Sequence, residues 1–111
     1  MALRILVCEW CSSGGLAGPQ AHAVAEGDRD ALTREGRGMF LAVLRDALRD
    51  PALAVTALVD EDRPVLVPAA VHVRRVPAGA EIEALVAEAT RADATLVVAP
   101  ETAGILARRV A

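Results

Sequence analysis

Aromatic residues are nearly absent from this sequence. Among 111 residues, Trp10 and Phe40 are the only two. A single domain of this length supports one core of ordinary size, and here it must be packed from Ala, Val and Leu. Long apolar runs are also missing. No stretch approaches the roughly 18 apolar residues that a helical membrane span needs. Basic blocks interleaved with aromatics are missing too, and the net charge is only −3, so nothing argues for a nucleic-acid partner. Arg74-Arg75 and Arg108-Arg109 read as solvated surface pairs. Two cysteines are too few for a disulfide scaffold. The residues after Met1 lead into an apolar run of only a few residues with no small-residue cleavage site, unlike a secretory leader. The expected compartment is the cytoplasm, with no membrane involvement.

What is present is organised around Arg4 to Gly15, Arg-Ile-Leu-Val-Cys-Glu-Trp-Cys-Ser-Ser-Gly-Gly. Ile5 to Cys8 show no in/out alternation, the pattern of a strand covered on both faces in a parallel sheet. This strand, Leu3 to Glu9, stops at a carboxylate and runs into a Gly-rich loop. The segment from Ser12 to about Asp30 carries Gly14, Gly15, Gly18, Pro19 and Gly27. It has no lasting periodicity beyond one short helical turn around Ala21 to Glu26. Structureless connections of this length are uncommon, and are usually functional or mobile.

Phe40, Val43, Leu44, Ala47 and Leu48 recur at i, i+3, i+4 spacing and predict an amphipathic helix from about Ala31 to Arg49. Asp30 is its expected N-cap, and Asp50-Pro51 ends it. Gly36 and Gly38 lie inside it, each costing about 1 kcal/mol relative to Ala. Two readings stay open for them: close helix–sheet packing, or a surface that a ligand or neighbouring backbone must approach. Strand two, Ala52 to Val59, ends at Asp60. Strand three, Val71 to Val76, begins by alternating, with Val71 and Val73 on one face and His72 and Arg74 on the other, as at a sheet edge. Helix two, Ala80 to Arg91, carries the stripe Ile82, Leu85, Val86 and Ala89. Glu81 and Glu83 stand in its first turn, where the helix dipole favours anions. Strand four, Ala94 to Ala99, is a second buried run that stops at Pro100-Glu101. A short third helix follows from Thr102.

The order β-α-β-β-α-β-α with right-handed crossovers predicts one α/β domain over residues 1–111. It is three-layered and Rossmann-like, with a mainly parallel four-stranded sheet in the order 3-2-1-4. Ligands of such sheets gather beyond the carboxyl ends of the strands where the order reverses, here between strands one and four. Glu9 and Glu101 end those strands, and Glu35 lies early in helix one. Clustered carboxylates invite a cation: an amine, an arginine or a metal ion. Ser12, Ser13 and the amides of Gly14 and Gly15 form either a nest for a carboxylate or phosphate oxygen or a plain turn. The loop lacks the first glycine of a dinucleotide fingerprint, and Pro19 follows in place of a helix, which argues against a dinucleotide. Cys8-Glu9-Trp10-Cys11 is formally C-x-x-C, but its first cysteine lies in a strand and a zinc site needs two more ligands. His22 and His72 are distant in sequence and read as surface residues. Core packing is the favoured reading for Cys8. Trp10 either caps the crevice or covers the open end of the core.

Three segments, Arg4-Ile-Leu-Val-Cys-Glu-Trp with Ser13-Gly-Gly, Glu35-Gly-Arg-Gly-Met39, and Ala94-Thr-Leu-Val-Val-Ala-Pro-Glu-Thr102, resemble the N-terminal pre-ATP-grasp domain of tyramine–glutamate ligase-like proteins. The resemblance implies the substrate-side lobe of a carboxylate–amine ligase, in which ATP phosphorylates a carboxylate and an amine attacks the acyl phosphate. Glu9, Ser12, Ser13, Gly14, Gly15, Glu35, Glu101 and Thr102 are then the candidate substrate-binding set, for a small amine or amino acid. No ATP clamp or magnesium carboxylates are visible in the sequence, so no catalytic residue is expected. ATP and magnesium belong to the complete enzyme, and its remaining ATP-grasp domains are the expected partners. The alternative is a stand-alone binding or dimerisation module, and exposed apolar surface would favour a homodimer.

Overall fold

All strand pairings among the described residues are parallel. The computed structural model describes residues 2–110, the side chain of Thr102 excepted. β1 (Leu3–Glu9) lies between β2 (Leu53–Asp60) and β4 (Ala94–Val98), and β3 (His72–Val76) flanks β2. The order is β3-β2-β1-β4. Ile5 pairs with Val55 and Ala94, Glu9 with Val98, and Asp60 with Val76. The four carboxyl ends therefore come level at one edge. The expected three-layer α/β domain is the one observed.

Alternation along β1 and β2 divides their side chains between two cores. Val7, Val55, Ala57 and Val59 face α1 (Arg29–Leu48), where Phe40 and Leu44 are wholly buried against them. Leu6, Cys8 and Leu58 face α2 (Glu81–Ala89), packing on Ala84 and Leu85. Both faces are covered, which is why Ile5 to Cys8 read as a continuous apolar run. Between β1 and α1 the chain makes three short 3₁₀ turns, Gly15–Ala17, Ala21–Ala23 and Glu26–Asp28. The last runs directly into α1. Asp28 therefore takes the N-cap position expected for Asp30, and no side chain caps the helix.

β4 departs from the expected buried run. Ala94, Thr95 and Leu96 are exposed. The cause is the position of α2, which packs over β1, β2 and the end of β3 and leaves β4 as an open edge. The helix is rolled to match. Val86, expected in the apolar stripe, is 61 % exposed, whereas Glu81 is turned inward. β3 forms the other edge, as its half-polar pattern requires. Val71 and Val76 are buried, while His72 and Val73 are exposed, so Val71 and Val73 do not share a buried face.

Glu81 is turned inward because α3 (Ile105–Val110) brings Arg109 to it. Both side chains are only 3 % exposed. Arg109 Nε donates to the two carboxylate oxygens at 2.9 and 3.1 Å, and Nη2 donates to Oε1. Nη1 donates to Gln20 Oε1 at 2.6 Å and to the Ile105 carbonyl at 2.7 Å. Arg109 is thus a buried anchor, not half of a solvated surface pair, while Arg108 remains exposed. No helix among the described residues is long and apolar enough to cross a membrane.

Removing one member of a buried ion pair leaves the other uncompensated, at a cost of about 3–5 kcal/mol. Arg109→Met is expected to lower the urea unfolding free energy by about that much. Arg49→Met breaks a pair with Asp46 in which both side chains are more than three-quarters exposed, and it is expected to change stability hardly at all. Equal effects would contradict the anchoring role.

Candidate functional site

β1 delivers Glu9 to the carboxyl edge of the sheet, on the α1 side, only 2 % exposed. Its Oε2 accepts from the Cys11 N–H at 2.9 Å. Oε1 accepts from the Ser12 N–H at 2.8 Å and from the Ser12 hydroxyl at 2.7 Å. The Glu9 N–H donates to Ser13 Oγ at 3.2 Å, and the Ser13 hydroxyl donates to the Leu58 carbonyl at 2.7 Å. The Ser13 N–H closes on the Glu9 carbonyl at 2.8 Å, the Gly15 N–H on the Trp10 carbonyl at 2.7 Å, and the Asp60 N–H on the Ser12 carbonyl at 2.8 Å. A buried carboxylate is tolerable here because charge-assisted bonds satisfy both of its oxygens. The loop after β1 is thereby tied to itself and to β2.

α1 crosses directly over this carboxylate at Gly36. A Cβ there would lie 2.5 Å from Oε2 and 2.6 Å from Oε1. Glu9 cannot swing aside without surrendering three donors. Close packing is therefore the reason for Gly36. Gly38 has no neighbour within 4 Å of its would-be Cβ, so close helix–sheet packing does not account for it.

The crevice expected between β1 and β4 is closed by apolar side chains. Trp10 and Ile105 are wholly buried there, with Leu16, Val24, Leu32 and Ala99 around them. Trp10 covers the open end of the core, and Gly15 passes so close that a Cβ would overlap the indole. The indole N–H has no hydrogen-bond partner among the described residues. A larger opening lies on the other side of β1. A cleft of about 650 Å³ runs between the loop and the end of β2, with Ser12, Arg29, Thr33, Asp60, Asp62 and Arg63 in its walls. It exists because Ser12 and Ser13 pull the loop towards Asp60 and Leu58.

The structure holds Glu9, Ser12, Ser13, Gly14 and Gly15 together as one buried unit. Gly14 has φ +100, and a Cβ there would meet Val76 and Asp60. Glu35 and Glu101 are exposed. Glu35 borders a hollow with Leu32 and Pro100, and Glu101 follows Pro100 in the chain. They stand in a different environment from Glu9, whose carboxylate is committed to its own loop. The side chain of Thr102 lies outside the described residues. Among the described residues no group of three or more His, Cys, Asp or Glu side chains is placed to hold a metal ion. Cys8 and Cys11 are free and buried. The Cys8 thiol is pushed up to about 12, by burial first and then by the Glu81 carboxylate. That of Cys11 is also pushed up to about 12, by burial and by Glu9. Neither is poised as a thiolate nucleophile, which requires a lowered value. The sequence does not show that Arg29, Asp60, Asp62 and Arg63 share the walls of one cleft. The available signal was Asp60 at a strand's carboxyl end, followed by a charged turn.

The close approach of α1 gives two neighbouring glycines opposite expectations. Gly36→Ala is expected to destabilise by about 1–3 kcal/mol through overpacking. Gly38→Ala, in open space, is expected to stabilise by roughly 0.5–1 kcal/mol through helix propensity. Urea unfolding of the two variants checks this, and a neutral Gly36→Ala would mean that Glu9 is not fixed beneath the helix.

The pre ATP-grasp 3 domain family matches residues 48–111, from the end of α1 through β2, β3, α2, β4 and α3. β1 and its loop lie before the matched stretch. No curated protein and no solved structure matches the chain. With more than half of its length matched, and with the parallel order β3-β2-β1-β4, the chain belongs to the pre ATP-grasp 3 domain family.

Proposed function

We propose that this domain is the substrate-side N-terminal lobe of an ATP-dependent carboxylate–amine ligase, similar to tyramine–glutamate ligase. It would act in the cytoplasm on a small amine or amino acid, with ATP and magnesium held by the other ATP-grasp domains. The family match across residues 48–111 is the observation that carries the reading. The Gly-rich loop is consistent with it. A phosphate cradle needs amides that point at the ligand. Here the N–H groups of Cys11, Ser12, Ser13 and Gly15 are spent inside the loop. The loop does not fit the phosphates of ATP, and nucleotide binding falls to the other domains.

A second reading, a stand-alone module that self-associates, draws on the open edge of the sheet. Val86, Leu96 and Val110 are 61, 45 and 66 % exposed. Val86 and Val110 border a groove of about 530 Å³ between α2, β4 and α3. Contiguous apolar surface of this kind marks an interaction face.

Isothermal titration of the folded chain with magnesium-ATP tests the lobe reading, which expects no saturable heat. Saturable ATP binding by this chain alone would overturn it. A light-scattering mass taken on the same preparation separates the two readings, a single chain favouring the lobe and a dimer favouring the module.

A further inference from the structure

We infer that the free edge of β4 receives a fifth strand, parallel to β4, from the segment that joins this lobe to the rest of the ligase. The inference rests on reading the domain as the first lobe of a longer protein. It adds the surface that the remaining chain occupies, the direction of the incoming strand and the face over which it arrives.

The two edges of the sheet differ in composition. β3, His72-Val-Arg-Arg-Val76, carries Arg74 and Arg75 with His72 beside them. Charged side chains of this kind keep a solvent edge from pairing with another strand. β4, Ala94-Thr-Leu-Val-Val98, has no charged residue and no proline, although Ala94, Thr95 and Leu96 are exposed. An uncharged edge rich in β-branched residues is a template for a further strand. An apolar run of this kind suits a strand with a neighbour on each side.

Handedness then fixes where the chain goes after α3. β1 crosses to β2 through α1 on one face of the sheet, and β3 crosses to β4 through α2 on the other. Opposite directions on opposite faces give the two crossovers the same hand, the right hand that parallel connections adopt almost without exception. α3 lies on the α2 face. Arg109 pairs there with Glu81, and Arg108 and Val110 border a groove with Val86 and Thr95. A crossover of the same hand on that face steps in the same direction as β3 to β4, away from β1. The position it reaches is the free edge of β4.

The surroundings of that edge set the chemistry of the strand. On the α2 face it meets Val86 and Val110, 61 and 66 % exposed, beside a groove of about 530 Å³. On the α1 face it meets Leu96, 45 % exposed, which pairs in register with Val7 of β1. A strand placed between these surfaces is short, apolar on both faces and rich in β-branched residues. The five residues of β4 span about 16 Å, and the six of α3 rise about 9 Å. A return to the amino edge of the sheet and a short connection therefore put the start of the strand within about 15 residues of Val110.

Amide hydrogen exchange in β4, compared between the folded 111-residue chain and the complete protein, tests the inference. Exchange in β4 is expected to be slower in the complete protein by about tenfold or more, with β3 exchanging alike in both. Leu96→Lys is expected to leave β4 exchange in the 111-residue chain unchanged and to speed it in the complete protein, where the strand covers that position. Leu66→Lys, at a residue 93 % exposed near the other edge, is expected to change neither. Equally fast β4 exchange in the two proteins overturns the inference and leaves the lobe reading standing. Protection in the complete protein that rises with its concentration gives the edge to a second copy and also overturns the inference. A reading frame that stops at Ala111 overturns the inference and the lobe reading together.

Discussion

The carboxylate of Glu9 accepts hydrogen bonds from the Cys11 N–H, the Ser12 N–H and the Ser12 hydroxyl, and the shape of the working edge follows from those three contacts. They fold the loop back on the end of β1. The serines then stitch it to β2, through the Leu58 carbonyl and the Asp60 N–H. A loop drawn to that side leaves a cleft beside β2 and frees the β4 side for apolar closure by Trp10 and Ile105. Gly36 belongs to the same device, since only a residue without a side chain lets α1 lie over the carboxylate. Sequence, loop shape and the position of the opening form one chain of cause.

The fold buries a second carboxylate by a different route. Glu9 is satisfied by neutral donors of its own loop, whereas Glu81 is satisfied by a guanidinium from the last helix. The first solution is local and fixes a turn. The second is long-range and fixes α3 against α2, while Arg109 also reaches Gln20 in the segment between β1 and α1. Each carboxylate has a buried cysteine beside it, Cys11 by Glu9 and Cys8 by Glu81, and burial and these charges together hold both thiols protonated. The C-x-x-C spelling is thus a by-product of core packing.

Much of the fold was legible in the sequence because its signals are periodic. The unalternating run Ile5 to Cys8 and the stripe Phe40, Val43, Leu44, Ala47 and Leu48 report burial directly, and right-handed crossovers then restrict the strand order. The burial of β4 was not legible. Thr95 to Ala99 is apolar whether or not a helix covers it, and cover depends on how far α2 reaches across the sheet. Glu81 and Arg109 are separated by 28 positions in sequence, and each has an ordinary surface reading of its own. The site was legible only in part. Glu9 at a strand end is a correct reading of position, but sequence does not say whether a carboxylate faces a ligand or the amides two and three residues later. Asp60 and Arg29 lie on elements that meet only when the chain is folded.

The most direct measurement of this account is the unfolding free energy of Glu9→Gln. A glutamine keeps the volume but places an N–H₂ group against one of the donors of Cys11 or Ser12, leaving buried donors unpaired at a cost of about 1–3 kcal/mol. A loss of that size is expected in urea unfolding, with perturbed amide shifts through Ser12, Ser13 and Asp60. An unchanged unfolding free energy, with those shifts intact, would contradict it and return Glu9 to the role of a side chain free to meet a ligand.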